Sequence, residues 1–176
     1  MGATDDTGTH DAARTLVTRS EQETGVLGRL IGELARPGDV IALAGPLGAG
    51  KTCLAQGIAR GMGILEPVPS PTFNLLLVHA SELVLYHFDL YRLDCASQLE
   101  DIDFYATLEA GGVSVVEWAD RFPGELPDDR LDVVLRPAGA SEREITLRPA
   151  GPIHEPLAVA CADAWRIAQG EDGDEA

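Results

Sequence analysis

The sharpest change of hydrophobic pattern in the chain lies between positions 39 and 61. Asp39-Val40-Ile41-Ala42-Leu43-Ala44 is a short apolar run of buried-strand type. Glycines interrupt it, and from Lys51 onward apolar residues return at helical spacing, with Leu54 and Ile58 on one face. Upstream, residues 15–19 predict a strand. Ser20-Glu21-Gln22-Glu23 then has the form of a capping box, and the helix it opens carries Leu27, Leu30, Ile31 and Leu34 on one face before Pro37-Gly38 ends it. Downstream, Pro67-Val68-Pro69-Ser70-Pro71-Thr72 holds three prolines in five residues, which forbids regular structure and predicts a constrained loop.

Residues 73–80 and 83–88 alternate as two strands across a Ser81-Glu82 turn and predict a hairpin. Residues 94–108 predict an irregular helix that Gly111-Gly112 stops. Val113-Ser114-Val115-Val116 is a compact buried strand ending at Glu117-Trp118, residues 131–135 and 144–147 form a further strand pair, and residues 156–169 a last helix. There is no internal repeat and no linker. The expected organisation is an acidic disordered tail over residues 1–14, one α/β domain over 15–150, a C-terminal helix over 151–169 and a second acidic tail over 170–176.

A length of 176 residues suits one α/β domain and crowds two. No apolar run approaches the roughly 20 residues that span a bilayer, so no membrane association is expected. The start of the chain is polar and acidic, the reverse of a signal peptide, and Cys53, Cys95 and Cys161 have neither disulfide-framework nor zinc spacing. Both point to a reducing cytoplasm. The net charge of −16 comes without any basic stripe. A protein that grips nucleic acid unaided needs one, so a nucleic-acid substrate would have to be held by another protein.

The chain has one lysine among thirteen basic residues, and it stands in Gly45-Pro46-Leu47-Gly48-Ala49-Gly50-Lys51-Thr52. This octapeptide satisfies every fixed position of the Walker A pattern, and strand, glycine loop and helix follow in the order that aims backbone N–H groups and a helix N-terminus at phosphates. A compact ammonium reaches the β- and γ-phosphates where a guanidinium fork fits poorly. A bound nucleoside triphosphate is the expectation, with residues 45–52 as its cradle. The guanine-reading motif N-K-x-D needs a second lysine, so adenine is favoured.

Magnesium nucleotide needs a hydroxyl for the ion and a strand-end acid to support it. Thr52 supplies the hydroxyl. Asp89, after Leu83-Val84-Leu85-Tyr86-His87-Phe88, and Glu117, after Val113-Ser114-Val115-Val116, both have the apolar-run-plus-acid form, and both are assigned to the metal site, directly or through water. Thr72, in the proline loop, either senses the γ-phosphate as switch threonines do or is an ordinary turn residue. His87 is either a proton shuttle or a hydrogen-bonded core residue. Trp118 and Tyr91 either stack on a ligand or pack in the core. Glu125 and Asp128 read as solvent-facing loop acids.

Gly48-Ala49-Gly50-Lys51-Thr52, Ser70-Pro71-Thr72-Phe73, His87-Phe88-Asp89-Leu90-Tyr91-Arg92-Leu93 and Glu117-Trp118, in this order and at these intervals, resemble the TsaE (YjeE) family over about residues 20–147. The resemblance implies a P-loop NTPase fold, a single three-layer α/β domain around a central, mostly parallel mixed sheet. It also implies a magnesium-dependent ATPase that works with a TsaB–TsaD transferase pair in forming threonylcarbamoyladenosine beside the tRNA anticodon, touching tRNA only through that complex. On that pattern Lys51 holds phosphates, Thr52 and Glu117 ligate magnesium, Asp89 takes the Walker B role, Thr72 lies in a switch-like loop and Trp118 lies near the site. Pro46 departs from the usual Asp at a position that contributes mainly backbone. Two other readings use the same loop: a small-molecule kinase, and an ATP-gated binding module with negligible turnover.

Overall fold

The computed structural model describes residues 13–69, 71 and 74–170. Almost all of the two acidic tails therefore lies outside the described residues. The chain folds as one α/β domain around a seven-stranded sheet of order β1-β7-β6-β2-β5-β4-β3. The strands are β1 (Arg14–Thr18), β2 (Val40–Ala44), β3 (Leu76–His79), β4 (Leu85–Asp89), β5 (Val113–Glu117), β6 (Arg130–Pro137) and β7 (Arg143–Ala150). The helices are α1 (Glu21–Leu34), α2 (Lys51–Gly61), α3 (Phe104–Leu108) and α4 (Glu155–Ala168). The central strands β6, β2, β5 and β4 run parallel, while β1, β7 and β3 join by antiparallel pairing.

Strand alternation sorts the core into two layers. Ile41 and Leu43 of β2 face the layer of α1, α2 and α4, where Leu27, Ile31, Leu54, Ile58 and Trp165 are buried. Val40 and Ala42 face the other side, against Phe88, Phe104 and Val116. The predicted apolar face of α1 packs inward, with Leu27 and Ile31 buried and Leu30 and Leu34 half-buried against the same core.

A second stripe of α1, Thr24, Gly28 and Gly32, is also buried. It meets α2 so closely that a Cβ on Gly57 would lie 2.4 Å from the Gly25 carbonyl oxygen and 3.0 Å from the Gly28 Cα. The two backbones touch, which fixes the axis of α2 and hence where its N-terminus points. Ser20 Oγ caps α1 by accepting from the Glu23 N–H at 3.1 Å. The Glu23 carboxylate reaches past the cap to the Arg19 N–H at 2.7 Å, one residue beyond the partner of a standard capping box.

Two elements differ from the sequence expectation. The first hairpin strand starts only at Leu76, because the Asn74 and Leu75 N–H groups turn back to the Pro71 carbonyl and Leu75 takes φ 61°. The irregular helix divides into a 3-10 segment, Ala96–Ile102, and α3, separated by Asp103 at φ 51°. No helix among the described residues is long and apolar enough to cross a membrane.

Parallel register carries the fold to its site. Leu43 of β2 and Asp89 of β4 flank Glu117 of β5 on either side. The carboxyl ends of three adjacent strands thus share one edge with the N-terminus of α2. Open α/β sheets bind ligands at that edge.

Candidate active site

The loop from Gly45 to Gly50 leaves β2 and delivers the chain to α2 with Lys51 as its first residue. Gly45 takes φ 143°, and a Cβ there would sit 2.4 Å from the Leu135 carbonyl oxygen, so only glycine lets the loop start against β6. The Ala49 N–H closes the loop onto the Pro46 carbonyl at 3.2 Å. Pro46 contributes through that backbone oxygen, which needs no particular side chain.

Lys51 is buried within its own loop. Its Nζ donates to the carbonyls of Gly45 at 2.6 Å and Pro46 at 2.9 Å, and lies over the Trp118 ring. Burial pushes the ammonium below the ordinary lysine range, while the carboxylates of Glu117, Asp120 and Asp89 act to hold it up. The outcome is a desolvated cation with weak acceptors, which a phosphate would outcompete.

Thr52 and Glu117, 65 residues apart, meet here: Thr52 Oγ1 donates to Glu117 Oε2 at 2.9 Å. Glu117 Oε1 stands 2.8 Å from His87 Nε2, with both side chains nearly inaccessible to solvent. His87 is therefore a hydrogen-bonded core residue whose partner is the site carboxylate. Asp89, also buried, lies next to Glu117 across the β4–β5 pairing, and its Oδ1 accepts the Tyr91 N–H at 3.0 Å. The Leu90 N–H donates to the Glu117 carbonyl at 3.1 Å, tying the two strand ends together. Trp118 sits at φ 60°, with its ring 4.8 Å from that of Tyr91 and facing Lys51, so it is partly buried against the Phe88–Phe104 core while also reaching the site.

A cleft of about 220 Å³ opens over these groups, lined among others by Gly48, Lys51, Thr52, Glu117, Trp118 and Arg143. The larger hollow between β1 and α4, about 430 Å³, lacks this convergence of cation, hydroxyl and carboxylate. Chemistry rather than size singles out the loop cleft. Arg143 is the residue that sequence reasoning missed. It opens β7 beside Gly50, and its Nε is buried with no hydrogen-bond partner among the described residues. Only its place in the sheet brings it to the loop; no local motif marks it. Thr72 lies outside the described residues. Glu125, read as solvent-facing, is instead partly buried and accepts the Tyr105 hydroxyl at 2.6 Å.

A hydroxyl on a carboxylate, a buried ammonium and a helix N-terminus gathered around one cleft can hold a polyphosphate with a hard divalent ion. Comparison with known proteins bears on this arrangement. The family model described as threonylcarbamoyl adenosine biosynthesis protein TsaE matches residues 18–145. The chain is 43% identical over 131 residues to the tRNA threonylcarbamoyladenosine biosynthesis protein TsaE of Treponema pallidum, covering 74% of this chain and 97% of that protein. It is 40% identical over 141 residues to the TsaE of Bacillus subtilis, covering 80% and 88%. The crystal structure of Bacillus subtilis YdiB superposes with a TM-score of 0.73 at 34% identity, covering 86% of this chain and 95% of that one.

Proposed function

The chain belongs to the TsaE family of threonylcarbamoyl adenosine biosynthesis proteins, and from that premise we propose that it is a magnesium-dependent ATPase serving tRNA threonylcarbamoyladenosine formation in the cytoplasm, in concert with a TsaB–TsaD-type transferase pair. The observation that carries the reading is the Thr52–Glu117 hydrogen bond at the foot of the glycine loop. A loop hydroxyl held on a strand-end carboxylate is a ready pair of oxygen donors for magnesium beside a phosphate cradle.

The bound magnesium nucleotide supplies the phosphoryl group and the ion that polarises it. This chain's residues do the rest. Backbone N–H groups of residues 48–52, at the start of α2, bind phosphate oxygens. Lys51 leaves its loop carbonyls for the β- and γ-phosphates and offsets charge that grows during transfer. Thr52 and Glu117 hold the ion. Asp89, kept in place by the Tyr91 N–H, supports it from the adjacent strand, directly or through water. Arg143 faces the same cleft from β7 and adds a second cation. Thr72, in the proline loop, senses the γ-phosphate.

Single-turnover hydrolysis of labelled ATP, with and without the transferase pair, tests this. The expected result is magnesium-dependent release of inorganic phosphate that the pair accelerates. Phosphate recovered on a small-molecule acceptor would point to a kinase, and ATP binding without release to a nucleotide-gated module.

A further inference from the structure

Within this reading, His87 has a task that neither its strand nor its core requires. It sits on β4 between Tyr86 and Phe88 and is wholly inaccessible to solvent. Its Nε2 meets Glu117 Oε1, and its Nδ1 has no hydrogen-bond partner among the described residues. Glu117 is thus the one hydrogen-bond partner of the ring among those residues. A hydrocarbon side chain would fill the same core volume without leaving a buried ring nitrogen unpaired, and that pairing deficit is a cost to folding. What only a donor can supply is an anchor for one carboxylate oxygen.

The geometry points to His87 as a positioning residue that withholds Oε1 from the ion, so that Glu117 presents Oε2 alone, beside the Thr52 hydroxyl. The consequence is selectivity. Magnesium demands a small octahedral shell and accepts single carboxylate oxygens, whereas calcium favours more ligands and bidentate carboxylates. A carboxylate pinned at one oxygen and shared with a threonine at the other suits the smaller ion. The backbone reinforces the pinning, because Leu90 ties to the Glu117 carbonyl and the β4–β5 register fixes His87 two residues before Asp89.

The experiment measures equilibrium binding of a non-hydrolysable ATP analogue to the full chain in three conditions: with excess EDTA, with saturating Mg2+ and with saturating Ca2+. His87→Leu removes the donor, and His87→Gln restores an N–H in nearly the same place. With His87→Leu, the gain in affinity conferred by Mg2+ should shrink about 10- to 100-fold, and the preference for Mg2+ over Ca2+ should collapse toward unity. With His87→Gln both should stay near wild type. Affinity in EDTA should be the same for all three proteins, since Lys51 and the loop are untouched; a merely structural role would lower it together with the others. A His87→Leu protein that keeps the wild-type Mg2+ gain and Mg2+/Ca2+ ratio would overturn the inference, as would one that loses EDTA affinity in proportion. A wild-type chain whose nucleotide affinity ignores Mg2+ would overturn the functional reading first, and this inference with it.

Discussion

The Lys51 ammonium stands 3.6 Å from the centre of the Trp118 ring while donating to two carbonyls of its own loop. Cation–π contact and carbonyl bonds are weak partners for a buried ammonium beside the charge of a triphosphate. ATP should draw Nζ away from the ring and change tryptophan emission. Trp165, buried in the α4 layer and not among the residues that line the cleft, should not respond. The signal should vanish in Trp118→Phe and survive in Trp165→Phe; persistence in Trp118→Phe would refute the coupling. Lys51→Ala should fold normally yet lose roughly 10²- to 10³-fold in turnover, the usual scale for one deleted transition-state donor.

The two strand-end acids should differ in kind from acids elsewhere. Glu117→Ala removes the partner of both Thr52 and His87, and Asp89→Ala removes the neighbour that the Tyr91 N–H holds in place. Each should lower magnesium-dependent hydrolysis by about 10- to 100-fold or more, with Glu117 the more severe. Asp128→Ala, at an exposed loop position, should leave activity unchanged. Steady-state rates across a magnesium titration check this. Equal activity in all three variants would place the metal elsewhere.

β2, the glycine loop and α2 were legible because their signals are local: an apolar run, glycines and a helical period lie within about two dozen residues. That Thr52 and Glu117 serve one site was legible from chemical need, since an acid at a strand end is what a magnesium hydroxyl ligand calls for. His87 was ambiguous, because a histidine in a strand reveals nothing of its partner until β4 is set beside β5. Arg143 was invisible; it is 91 residues from Thr52 by their numbering and reaches the cleft only because β7 crosses the sheet to that edge. The buried Thr24–Gly28–Gly32 stripe of α1 was missed for the opposite reason. Small residues pack by close approach and leave no hydrophobic signature.

Cys161 provides a pH test of the core beneath α4. Burial, reinforced by the Asp39 carboxylate, pushes its thiol from the ordinary 9.0 up to about 12. Between those values the unfolded chain gives up the proton and the folded chain keeps it, so stability falls as pH rises. The loss at the top of the window is about 4 kcal/mol at most. Urea unfolding at pH 8 and pH 10 should show a steeper decline for wild type than for Cys161→Ala, even though the variant begins less stable. Exposed Cys95 should react with a thiol reagent in the native protein, and Cys161 should not. Parallel pH slopes in the two proteins would contradict the assignment.

The last prediction concerns what the site serves. A net charge of −16 repels the phosphate backbone, so the isolated chain should bind tRNA weakly even at low salt. If the chain works with a TsaB–TsaD-type pair, that pair must supply the tRNA contacts and this chain the nucleotide. Docking near the cleft would then exclude water from the reacting groups, so hydrolysis should rise with added pair. Coupling between two binding equilibria is reciprocal: if the pair tightens ATP binding, ATP must tighten docking by the same factor. Titrating the pair at fixed low salt with ATP analogue present and absent gives one factor, and titrating the analogue with the pair present and absent gives the other. Matching factors above unity, together with weak tRNA binding by the chain alone, are the expected outcome. Tight tRNA binding by the chain alone with no response to the pair would reverse the assignment of roles, because the acidic subunit would then be the one that grips the nucleic acid.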